Sequence, residues 1–255
     1  MLYRTRRFEP TRKGMPLLAL VLVALGFMTN ANTAKAGKHL FILSGQSNMT
    51  GTVRDAFTQR VQERFGKDDV VVVMRMKSGR GIRFWVAGYD QPSGRDLSDR
   101  KMTSNGQEYG PLIQAAMDAT KNESFDTVGF IWMQGESDAN NRLSEVYEQS
   151  FVKLTEQLKS DLKRDDLYYV IGRINDYAQG RPDNEHWRRV RESQVRLGKS
   201  KGNAWVDTDD LNGGGADQPH GDIHFPREGA QGLGQRFADK AMELIENVES
   251  TEKNE

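Results

Sequence analysis

Cysteine is absent from all 255 residues, so neither a disulfide nor a thiol-linked lipid anchor is available, and stability has to come from a packed core. Long apolar runs are missing as well. The one between Met15 and Met28 covers about 14 residues, short of the roughly 20 needed to span a bilayer. No repeat at a solenoid period is present and no EF-hand loop fits, which excludes stacked-repeat architectures and that mode of calcium binding. Histidine is scarce, with only four to serve as a base or ligand: His39, His186, His220 and His224. Excess positive charge is lacking too. The 36 basic residues balance 36 acidic ones, but six of the former and one of the latter fall within residues 1–36, leaving residues 37–255 with a net charge of −5. That balance argues against nucleic acid and anionic membrane surfaces as partners and suits an uncharged substrate.

What is present at the amino end has the order of a secretory signal. Arg4, Arg6, Arg7, Arg12 and Lys13 precede the apolar run, and a polar stretch then closes on Ala34-Lys35-Ala36, the small-x-small pattern of a cleavage site. Residues 1–36 are expected to be removed after Ala36, leaving residues 37–255 as one soluble domain exported to a periplasmic or extracellular space.

Within that domain, continuous apolar runs at residues 39 to 44, 70 to 76, 127 to 133, 167 to 174 and 204 to 208 predict strands covered on both faces, as in a parallel sheet. Between them, residues 55 to 65, 110 to 121, 143 to 164, 184 to 199 and 227 to 248 carry apolar positions at three-four spacing. Alternation of the two predicts an α/β fold, a three-layer α/β/α sandwich with a parallel, flavodoxin-like sheet of about five strands. In such folds chemistry collects beyond the carboxyl ends of the strands. There the sequence places Gly45-Gln46-Ser47-Asn48-Met49, Ser78-Gly79-Arg80-Gly81, Gln134-Gly135-Glu136-Ser137-Asp138 and the loop ending in Asp222-Ile223-His224.

A serine becomes a nucleophile when a base takes its proton, and the usual base is a histidine oriented by a carboxylate. His224 is the favoured base, in the loop before a final helix that Pro226 opens. Ser47 has a bland alternative as a helix cap, and Met49 stands where the nucleophile-elbow motif has its second glycine, which disfavours the α/β-hydrolase route. Asp138 reads as a capping or first-turn residue.

The segments FILSGQSNMTG (41 to 51), IWMQGESDA (131 to 139) and DIHF (222 to 225) resemble the sialate O-acetylesterase and acetylxylan esterase family, that is, carbohydrate esterase family 6 and relatives within the SGNH hydrolases. SGRGIRFW (78 to 85) and VRESQ (190 to 194) add weaker matches. The resemblance implies Ser47 as nucleophile, His224 as general base, and an oxyanion hole from the backbone N–H groups of Ser47 and Gly79 with the side-chain amide of Gln134. The orienting acid stays open. Many relatives place an aspartate three residues before the histidine, where this chain has Gly221, so Glu136 is favoured, Asp222 comes next and Asp217 last. No cofactor is implied, and the expected partner is an acetylated carbohydrate, selected by loops 86 to 109 and 176 to 186. Two rival readings remain: a metal-dependent hydrolase using His220, Asp222 and His224, and a non-catalytic sugar-binding module with Trp85 and Trp187 as stacking surfaces.

Overall fold

A computed structural model describes residues 37–94 and 105–252. The expected signal and its cleavage site lie outside the described residues, as do residues 95–104 of the first specificity loop. Five strands form one parallel sheet: β1 (His39–Gly45), β2 (Val70–Met76), β3 (Thr127–Met133), β4 (Tyr168–Gly172) and β5 (Ala204–Val206), in the order β2-β1-β3-β4-β5. This is the flavodoxin-like order, and the chain's change of direction falls between β1 and β3. Every residue of β1 is buried, and β3 is buried throughout save Thr127, whereas the edge strand β2 is mostly half-covered. That gradient is why β1 and β3 read as unbroken apolar runs.

Among the described residues six α-helices complete the layers: α1 (Gly51–Phe65), α2 (Tyr109–Thr120), α3 (Glu136–Asn140), α4 (Tyr147–Leu162), α5 (Glu185–Gly198) and α6 (Arg227–Glu252). Helices α1 and α6 pack on each other across one face of the sheet, while α2, α4 and α5 make the other layer. Apolar burial drives both: Phe57 of α1 meets Phe41 of β1 edge-on at 5.1 Å, and Phe151 of α4 meets Tyr169 of β4 edge-on at 4.9 Å. Each such side chain contributes about 1.5–3 kcal/mol by leaving water. Among the described residues no helix is long and apolar enough to cross a membrane.

Three departures from the sequence reading bear on function. Strand β4 stops at Gly172, two residues early, because Arg173 and Asn175 turn to bind the loops beyond: Arg173 pairs with Asp207 and Asp209, and Asn175 Nδ2 donates to the carbonyls of Asp222 and Ile223. The short helix α3 was not legible; it starts directly after Gly135, whose φ of 153° lies in the region that favours glycine. The aromatic pair expected to stack on sugars belongs to the interior instead. Trp85 packs edge-on to Trp132 at 5.2 Å, and the indole N–H of Trp187 donates to the Asn175 carbonyl at 2.7 Å, both rings being buried.

Candidate active site

Ser47 follows β1 in the turn before α1. The cap of α1 is Thr50, whose hydroxyl accepts from the Val53 N–H, so the capping role is filled three residues later and the Ser47 hydroxyl is left over. His224 Nε2 lies 3.0 Å from Ser47 Oγ, although the two are 177 residues apart in sequence. For Nε2 to accept the hydroxyl proton, Nδ1 has to carry the ring hydrogen.

The candidate acids fall elsewhere. Asp222 Oδ1 accepts from the His224 backbone N–H at 3.2 Å, and the Asp222 N–H donates to the Asn212 carbonyl at 2.9 Å; its exposed carboxylate meets the backbone rather than the ring. Gly221 occupies the position three residues before His224, where the resemblance leads one to expect an aspartate. Its φ is 54°, and a Cβ there would stand 2.4 Å from the Asn212 carbonyl oxygen, so that position is closed to any side chain. Asp217 is exposed on the loop. Glu136, the favoured acid, is 1% exposed and accepts at its Oε1 from Asn48 Nδ2 at 2.6 Å. Among the described residues no carboxylate forms an ion pair with His224. The expected direct Glu136–His224 contact is therefore replaced by an indirect one, because the Asn48 amide stands between the carboxylate and the histidine loop.

Asn48 is the residue the sequence reading passed over. Its Nδ2 also donates to the Ile223 carbonyl at 2.9 Å, and its Oδ1 accepts from the Phe225 N–H at 3.3 Å. The only available signal was its place beside Ser47 in the GQSN segment. Gln46 was passed over too: its Oε1 accepts from the Ser137 N–H and from Gln134 Nε2, each at 3.2 Å, joining the β1 and β3 exits.

Gln134 is fully buried, and its amide donates to Asp138 Oδ2 at 2.6 Å and approaches Gln46 Oε1 and the Arg80 carbonyl at 3.2 Å each. In this arrangement its two hydrogens serve three acceptors, so the amide expected to face the oxyanion also braces the loops beside Ser47. Asp138 is likewise more than a first-turn residue. It is wholly buried and accepts from the Ile82 N–H at 2.9 Å, which fixes the turn after β2. Burial pushes its carboxyl up to about 6 and that of Glu136 up to about 7, against the hydrogen bonds from Gln134 and Asn48 that favour the ionised forms. Gly79, with φ of 68°, lies exposed on the same loop with nothing within 4 Å of where a Cβ would stand. The VRESQ segment supports the frame from behind: Gln194 Nε2 donates to the Gln134 carbonyl at 2.8 Å, and Arg191 forks onto Asp209.

The metal reading does not survive the geometry. His220 turns its Nδ1 to Asp176 Oδ2 at 2.9 Å while His224 turns to Ser47, and among the described residues no three potential ligands converge. His39 hydrogen-bonds Thr127 at the far edge of the sheet, and His186 pairs with Ser144.

A Ser–His pair within hydrogen-bond distance, at the switch point of a five-stranded parallel sheet, is an arrangement suited to hydrolysis. Residues 52–243 match the family model described as "carbohydrate esterase, sialic acid-specific acetylesterase", and the chain belongs to that family and is a carboxylic ester hydrolase. The match holds Gln134, Glu136 and His224 and begins just after Ser47. Among solved structures the fold is similar to that of a protein from Arabidopsis thaliana at 17% identity and a TM-score of 0.57, covering 83% of this chain and 99% of that one. It is similar to a carbohydrate acetylesterase from Xanthomonas citri at 16% identity and a TM-score of 0.60, where 82% of this chain covers 56% of the other. A carbohydrate acetylesterase from Sinorhizobium meliloti aligns at 14% identity with a TM-score of 0.54, covering 81% of this chain and 99% of that one. No curated protein matches.

Proposed function

We propose that this esterase removes O-acetyl groups from carbohydrate through an acyl-enzyme on Ser47. The observation that carries the reading is the 3.0 Å contact between Ser47 Oγ and His224 Nε2, on a serine relieved of capping duty. In the first half-reaction Oγ attacks the acetyl carbonyl carbon as its proton passes to Nε2. The C–O bond to the sugar then breaks, and the alkoxide leaves with the proton from the imidazolium. A water molecule, deprotonated by the same Nε2, attacks the acetyl-serine; acetate departs and Oγ recovers its proton. The negative oxygen of each tetrahedral intermediate takes hydrogen bonds from the backbone N–H groups of Ser47 and Gly79, each typically worth about 3 kcal/mol of transition-state stabilisation.

The acyl-enzyme is testable directly. Rapid mixing with an aryl acetate should give a burst of phenolate equal to the enzyme concentration, and mass spectrometry of the quenched protein should place the added acetyl on Ser47. A linear time course with no acetylated serine would remove the reading. The sugar is approached by assaying acetate release from acetylated xylan, O-acetyl sialic acid and other acetylated glycans. The basic, apolar and Ala-Lys-Ala order of residues 4 to 36 supports export as the route to such substrates, and the amino-terminal sequence of the secreted protein tests it.

A further inference from the structure

The side chain of Asn48 is 2% exposed and grips the chain on both sides of the proposed base. Its Oδ1 accepts from the N–H of Phe225, the residue after His224, and its Nδ2 donates to the carbonyl of Ile223, the residue before it. An amide holding one N–H and one C=O two residues apart mimics a neighbouring strand, and it fixes the His224 backbone against the turn that carries Ser47. The remaining Nδ2 hydrogen goes to Glu136 Oε1 at 2.6 Å. An acceptor at that point decides which end of the amide is nitrogen: only the NH2 end can face the carboxylate, so Oδ1 has to face the Phe225 N–H. With that acceptor gone, the Ile223 carbonyl alone holds the NH2 end in place, and one buried Nδ2 hydrogen is left without a partner, which loosens the amide. Asn175 braces the same loop from β4 through the carbonyls of Asp222 and Ile223, which leaves the Phe225 N–H to Asn48.

We propose that Asn48 is the positioning residue for His224, and that Glu136 acts on the base only through Asn48. The proposal rests on the Ser47–His224 esterase reading. It gives the buried Glu136 a task that needs an acceptor oxygen rather than a charge, and it accounts for a proposed dyad whose imidazole meets no carboxylate among the described residues.

The test is steady-state hydrolysis of an aryl acetate by the mature chain, with thermal unfolding recorded for each variant. Asn48→Ala is expected to lower kcat by about 100-fold, since a misplaced base costs that much, while KM changes by less than about threefold. Glu136→Ala should fall by a similar factor, and the Asn48→Ala/Glu136→Ala pair should be no worse than Asn48→Ala alone, within about threefold. Glu136→Gln keeps an acceptor oxygen and should rescue kcat to within about tenfold of wild type. If Asn48→Ala does not fold, the contrast between Gln and Ala at position 136 decides alone. A Glu136→Gln variant as inactive as Ser47→Ala, or single losses that multiply in the double variant, would overturn the proposal. Wild-type turnover in Ser47→Ala removes the esterase reading itself and is distinct from either outcome.

Discussion

His220 and His224 stand four residues apart on one loop yet hold partners on different strand exits, Asp176 after β4 for the first and Ser47 after β1 for the second. Divergent imidazoles cannot share an ion. Exhaustive chelation should therefore leave aryl acetate hydrolysis unchanged, and elemental analysis of the active protein should find less than about 0.1 equivalent of zinc, set against the full occupancy a catalytic zinc site needs. Loss of activity restored by added zinc would contradict this.

Ser47→Ala and His224→Ala should each reduce kcat for an aryl acetate by at least about 10⁴-fold, with circular dichroism and unfolding midpoint near wild type. The two together should be little worse than either alone, since they act as one unit. A double loss equal to the product of the single losses would separate them into independent roles.

Glu136 and Asp138 give the folded state a defined pH dependence. Burial raises their carboxyls from 4.5 to about 7 and from 3.8 to about 6, so between those limits the folded chain binds more protons than the unfolded one. The penalty is absent below the unfolded values and complete above the folded ones, so stability falls as pH rises through this window. Glu136→Gln removes that group's share, on the order of 3 kcal/mol. The unfolding midpoint of the variant should decline less than that of wild type between about pH 5 and about pH 8, which calorimetry across that range checks.

Gly221→Asp would place an aspartate three residues before His224 and should nevertheless harm the enzyme. A side chain there meets Asn212 and needs a left-handed backbone, costing about 2 kcal/mol or more. Denaturant titration should show the lost stability, and kcat should not rise.

Trp85→Ala is expected to destabilise the fold by about 3–5 kcal/mol through an internal cavity, with KM for acetylated oligosaccharides unchanged where the protein remains folded. A selective rise in KM without lost stability would return the ring to substrate binding.

The sheet was legible because its central strands β1 and β3 are buried on both faces and so carry unbroken apolar runs; the ends of β4 and β5 moved most, where Arg173 and Thr208 turn to bind one another's loops. The Ser47, Gln134, Glu136 and His224 segments announced themselves through their likeness to an esterase signature. Their connections did not. Glu136 meets Asn48 across 88 residues and Asn48 meets Ile223 across 175, distances at which local pattern carries no information about which polar atom faces which. Asp138 misled for a related reason: a carboxylate early in a helix looks like a cap until the Ile82 N–H and the Gln134 amide are seen to converge on it.

The separation of Ser47 from His224 has a further consequence in time. The serine is laid down early and the histidine 177 residues later, just before α6, whose packing on α1 joins the two ends of the domain. On the proposed mechanism, a nascent chain that has emerged only as far as residue 220 has its nucleophile but lacks His224 to activate it. On that mechanism hydrolytic competence would arrive with the last helix, so the enzyme would be switched on by closing its own fold.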